Sequence, residues 1–101
     1  MTSFTKVAKQ SEIPKGSGKV VEVGGKVLAL FHSEDQFYAT ENTCRHQGGP
    51  LGEGSLSGTT VTCPWHGWEY DVTTGACQLD ASVKVATFPV KVDGDDILVA
   101  L

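Results

Sequence analysis

Two short segments, Cys44-Arg45-His46 and Cys63-Pro64-Trp65-His66, each carry one thiol and one imidazole, and sixteen residues separate them. Thiolate sulfur and neutral imidazole nitrogen are the ligands that zinc and iron–sulfur centres take from proteins. A single tetrahedral zinc would accept this Cys2His2 set. However, at C-x-H spacing two ligands lie so close along the chain that one metal would strain the loop. A [2Fe-2S] cluster, one per chain, relieves that strain by placing both Cys on one iron and both His on the other. Cys44, His46, Cys63 and His66 are therefore the candidate cofactor-binding and metal-ligating residues, and no catalytic residue is assigned.

The two ligand types divide the chemistry. Thiolates are anionic and donate strongly, so an iron held by Cys44 and Cys63 stays ferric and an added electron settles on the iron of His46 and His66. Neutral imidazoles also make the centre less negative than an all-cysteine one, which raises its potential into the range of roughly −150 to +300 mV. One-electron transfer is the chemistry to expect of such a site, whereas a zinc site would make the chain a stabilised binding module. Colour separates the two, because an iron–sulfur protein is red-brown and bleaches on reduction.

Strands must position these segments, since short runs rich in Val, Leu, Ile, Phe and Tyr recur between Gly, Pro, Asp and Ser, and no window keeps a helical apolar period. The expected strands are Lys19 to Val23, Lys26 to His32, Gln36 to Thr40, Thr60 to Cys63, Trp68 to Val72, Pro89 to Val92 and Asp96 to Leu101. Gly24-Gly25 suits a two-residue hairpin, and Asp93-Gly94 sits in a second tight turn. Gln47 to Gly54, with four Gly and a Pro, should be loop, and Pro14 to Gly18 a surface turn. The fold class is thus all-β, with each ligand pair in a loop.

At 101 residues the chain should be one domain, 1–101, too small to hold a sizeable catalytic cavity beside its core. Forty per cent apolar and twenty per cent charged residues describe a soluble protein, and no apolar run approaches the roughly 20 residues of a membrane helix. The first residues show no apolar signal segment, which points to the cytoplasm. Three cysteines, two of them claimed, argue against a disulfide framework and leave Cys77 as a free thiol. Net charge −4 with scattered basic residues excludes a nucleic-acid partner and favours basic protein surfaces.

Cys44-x-His46 followed by Cys63-Pro64-Trp65-His66-Gly67-Trp68-Glu69-Tyr70-Asp71 and Thr74-Gly75 resembles the Rieske family. Gly49-Pro50-Leu51 and Phe88-Pro89-Val90-Lys91-Val92 are similar to that family's surrounding framework. The resemblance implies antiparallel sheets forming a base, with two loops clasping the cluster at one tip. Its size is that of the Rieske-type ferredoxins that serve bacterial ring-hydroxylating dioxygenases and related monooxygenases. That group implies a flavin-containing reductase and a terminal oxygenase as protein partners. A small carrier that must expose one face to two partners in turn favours a monomer, and an imidazole edge at the surface shortens the tunnelling path, so His46 and His66 are the expected electron exit. A small subunit resembling that of assimilatory nitrite reductases is the alternative within electron transfer.

Members of the cytochrome bc branch add a disulfide between the loops and a Ser that bonds a bridging sulfide. Those positions are Gly49, Trp65 and Trp68 here, while Tyr70 matches the hydroxyl that donates to a cysteine sulfur. Fewer donors leave the reduced cluster less compensated, so a low potential is expected. Once His46 and His66 are used, only His32 remains, so the 2-His-1-carboxylate site of an oxygenase cannot be built. His32 is read as a surface or edge residue and Cys77 as a small buried hydrophobe, neither with a role, and Trp65 and Trp68 as cover for the cluster and part of a docking surface. Glu41, Glu53, Glu69 and Asp71 are weighed as an acidic margin against plain solvated surface, and Arg45 as a residue that offsets cluster charge or touches a partner.

Overall fold

In the computed structural model, which describes residues 4–34, 36–43, 50–65, 67–78, 80 and 82–100, the apolar run Leu28-Ala29-Leu30-Phe31 forms a strand buried on both faces. Side chains alternate across a strand, so Leu28 and Leu30 enter one core while Ala29 and Phe31 enter another. A continuous apolar run suits such a central strand, which has no solvent face to keep polar.

The described strands are β1 Phe4–Lys9, β2 Ser17–Val23, β3 Lys26–Ser33, β4 Gln36–Glu41 and β5 Ser55–Ser57, then β6 Thr60–Thr62, β7 Glu69–Asp71, β8 Thr87–Phe88, β9 Val90–Asp93 and β10 Asp96–Ala100. They form three antiparallel sheets, ordered β1-β10-β9, β2-β3-β4-β8 and β5-β6-β7. The first core packs Ile97 and Val99 of β10 against Val21, Val23, Leu28 and Leu30. The second packs Val61 of β6 and Tyr70 of β7 against Ala29 and Phe31. Leu51 and Cys63, which border the two segments expected to carry ligands, both lie in this second core. Among the described residues no helix is long and apolar enough to cross a membrane.

Each expected strand is present, with ends shifted by one or two residues. Gly24 and Gly25 both have positive φ, 55° and 84°, in the hairpin joining Val23 to Lys26, as a type I′ turn requires. Asp93 and Gly94 lie in the second tight turn as expected, with Asp93 paired to Asp96 across Gly94-Asp95. The Pro14 turn is shorter than expected, since Ser17 already begins β2. Leu51–Glu53, expected as loop, is a turn of 3-10 helix.

Three strands escaped the sequence reading. β1 is an edge strand with mostly exposed residues, irregular between Lys6 and Ala8, and it exists by pairing with β10 at the other end of the chain. β5 and β8 are three and two residues long, too short to carry any periodicity.

Candidate metal centre

Each segment expected to carry ligands is tied at its base by a main-chain hydrogen bond. In the first loop, Thr43 pairs with Pro50 as an isolated bridge, and the Leu51 N–H donates to the Asn42 carbonyl at 2.7 Å. The Asn42 side chain adds a second tie, its Oδ1 accepting the Gly52 N–H at 2.8 Å. In the second loop, the Cys63 N–H donates to the Trp68 carbonyl at 2.7 Å. Between them the chain turns back through Gly67, whose φ of 72° only glycine adopts without strain.

The two bases touch. Gly54, just past the 3-10 turn, lies against the Thr62 carbonyl with no space for a Cβ. Leu51 and Cys63 are buried in one core with Tyr70, Val72 and Cys77. The residue that follows the first loop and the residue that starts the second are thus fixed to one rigid base.

Of the four expected ligands, Cys63 is described. Cys44, His46 and His66 lie outside the described residues, as do Arg45 and Gly49. Among the described residues no group of three or more His, Cys, Asp or Glu converges to hold a metal. The donor chemistry at Cys63 fits an iron–sulfur cluster: its side chain is almost wholly buried, and its Sγ accepts the Trp65 N–H at 3.4 Å. Main-chain donors to sulfur disperse the charge of a ligating thiolate and tune the cluster it holds.

The other singled-out residues separate clearly. His32, expected at the surface or an edge, is instead part-buried on β3 between two neighbouring strands, where its Nδ1 bonds the Ile13 carbonyl at 2.8 Å and its ring stacks on Phe37. Cys77 is a buried free thiol in the second core. Trp65 is 49% exposed beside Cys63, whereas Trp68 is half-buried and packs against the second core. The acidic residues have different duties. Glu41 Oε1 accepts the Ala86 N–H, and Asp71 Oδ1 holds the Thr73 amide and hydroxyl in the following turn. Glu53 and Glu69 are exposed, with Glu69 near the Thr62 hydroxyl at 3.4 Å. Beside Trp68, Ser82 lines the same surface depression and donates to Asp80, whose carboxyl is held below its ordinary range first by the Ser82 hydroxyl and then by the Ser82 N–H.

Two site residues were not anticipated from sequence. Asn42 directly precedes the Thr43-Cys44 pair, and an Asn at the foot of a loop is a signal for side-chain bonding to nearby amides. Gly54 carries no such local signal, because its neighbour Thr62 is reached only through the fold.

The Rieske [2Fe-2S] domain model matches residues 3–89. The naphthalene 1,2-dioxygenase system ferredoxin component of Pseudomonas aeruginosa is 38% identical over 91 residues, covering 89% of this chain and 88% of that protein. A chain in the complex of reduced oxygenase and oxidized ferredoxin in carbazole 1,9a-dioxygenase superposes with TM-score 0.86 at 37% identity, covering 96% of this chain and 92% of that one. A putative NADH-dependent nitrite reductase small subunit from Mycobacterium tuberculosis superposes with TM-score 0.92 across all of this chain and 96% of that one. At 24% identity that likeness shows the fold alone.

Proposed function

The chain belongs to the Rieske [2Fe-2S] domain family, and we propose that it holds one cluster, with Cys44 and Cys63 on one iron and His46 and His66 on the other. It is an electron-transfer protein of the ferredoxin type, not an enzyme in its own right. An iron–sulfur cluster replaces the zinc reading, and the nitrite reductase subunit remains a neighbour in fold. Single electrons leave for a terminal oxygenase, as the names of the naphthalene and carbazole relatives suggest, and their source, expected from the sequence resemblance, is a flavin-containing reductase.

The observation that carries this reading is the closure of two loops, the first following Asn42 and the second following Cys63, over one shared buried base. When bound, the cluster supplies reversible one-electron chemistry at a potential set by its ligands and their hydrogen bonds. The protein's part is to bury the cysteine side, as Cys63 is buried, and to offer a contact surface, as the half-exposed Trp65 does. A net charge of −4 favours encounter with basic faces on both partners. The chain acts as a single-domain monomer in the cytoplasm, where a reducing environment keeps Cys77 a thiol.

Iron and sulfide analysis of the purified protein tests the reading, with two of each per chain expected and a red-brown colour that bleaches on reduction. A colourless protein holding zinc would refute it. Partner choice is read by adding the protein to a reductase and oxygenase from a ring-hydroxylating system, where turnover should depend on it.

A further inference from the structure

Resting on the cluster reading above, we propose that Asn42 is a positioning residue that latches shut the loop bearing Cys44 and His46 and so fixes the spacing between the two ligand loops. Asn42 stands two residues before Cys44. Its carbonyl accepts the Leu51 N–H at 2.7 Å and its Oδ1 accepts the Gly52 N–H at 2.8 Å, so one residue holds two successive amides of the returning chain.

That returning chain has no room to slide. Leu51 is fully buried in the core that contains Cys63. A Cβ on Gly52 would lie 2.7 Å from Val20 Cγ2 and 3.0 Å from Asn42 Oδ1. Two residues on, Gly54 abuts the Thr62 carbonyl. A continuous line of contacts therefore runs from Asn42 through Gly52 and Gly54 to Thr62, joining the start of one loop to the start of the other.

The two loops differ in what closes them. The second encloses four residues, 64–67, and closes with the Cys63 to Trp68 main-chain bond, which survives any side-chain change. The first encloses eight, 43–50, and a longer loop costs more entropy to close. It adds a side-chain acceptor to its main-chain bond, and this is the tie that a substitution removes. Because Gly52 is buried, its N–H would then lose a partner that water cannot readily replace. A cluster bound by both loops would feel the first one open.

The test compares the holoprotein with Asn42→Ala and Asn42→Asp. Loss of visible absorbance in an iron chelator should be on the order of tenfold faster in N42A. The electron paramagnetic resonance line shape of the reduced protein should change, and amide hydrogen exchange across 51–54 should accelerate. N42D keeps an acceptor oxygen and should lose its cluster at close to the original rate. Wild-type loss and exchange rates in N42A, or equally fast loss in N42D, would overturn the latch. The exchange measurement on the unaltered protein guards against a variant that fails to fold, since unprotected amides at Leu51 and Gly52 also overturn it. Absence of iron and sulfide in the unaltered protein would instead defeat the cluster reading, and the exchange result would still judge the latch.

Discussion

Gly54 and Thr62 meet so closely that no methyl group fits between the glycine Cα and the threonine carbonyl. This contact ties the chain leaving the first ligand loop to the strand that delivers Cys63. A cluster with two ligands from each loop tolerates little change in their separation, so the contact has a consequence for metal binding as well as for packing.

Gly54→Ala should destabilise the fold by about 1–3 kcal/mol through overpacking, and the holoprotein should shed its cluster faster. The Gly54 backbone, at φ −77° and ψ 174°, is one that any residue adopts, so the effect is steric. Gly58→Ala provides the contrast. Its φ is 61° with open space around it, and the cost should be about 1–2 kcal/mol of backbone strain with cluster retention unchanged. Urea unfolding and the visible spectrum measure both.

The two described cysteines should separate by function although both are buried. Cys63→Ala should abolish the iron–sulfur spectrum. Cys77→Ala should keep it and cost about 1 kcal/mol from the loss of buried volume. Iron content per chain and thermal unfolding distinguish the two outcomes.

Tyr70 is fully buried in the core it shares with Cys63, and the family resemblance implies that its hydroxyl donates to a cysteine sulfur. Such a donor stabilises the more negative, reduced cluster. Tyr70→Phe should therefore lower the midpoint potential by about 40 mV, the one-electron equivalent of about 1 kcal/mol. The parent potential should lie near the low end of the family range, about −150 mV, and stay flat with pH through neutrality. Voltammetry across pH checks both statements.

The Asp80 carboxyl titrates below its ordinary value because the Ser82 hydroxyl and amide favour its charged form. Its contribution to stability is present above the unfolded-state carboxylate pKa and is lost as pH falls through the lower folded value. Ser82→Ala removes the larger of the two bonds, so the Asp80 pKa should rise toward the ordinary value without reaching it. A carboxyl-resolved nuclear magnetic resonance titration measures the shift.

The Cys and His spacing that matches the family, the all-β class and the hairpin at Gly24-Gly25 were legible in the sequence because each is a local property. Ligand chemistry depends on residue type and short spacing, alternation of side chains depends on strand geometry, and positive φ depends on glycine. Strand β1 was not legible, since its partner β10 lies at the far end of the chain and its own residues are mostly exposed. The 3-10 turn at Leu51–Glu53 was hidden by neighbouring Gly and Pro, and it forms because Leu51 is drawn into a core assembled from other strands.

The sequence by itself determined which atoms can bind metal, because a thiolate or an imidazole brings its donor properties wherever the chain places it. Only the tertiary structure decided that Asn42 clasps Gly52, that Gly54 abuts Thr62, and that Leu51 and Cys63 share one buried base. These are contacts between segments whose meeting depends on how three sheets pack, and close packing is a property of the assembled fold rather than of any one stretch of chain.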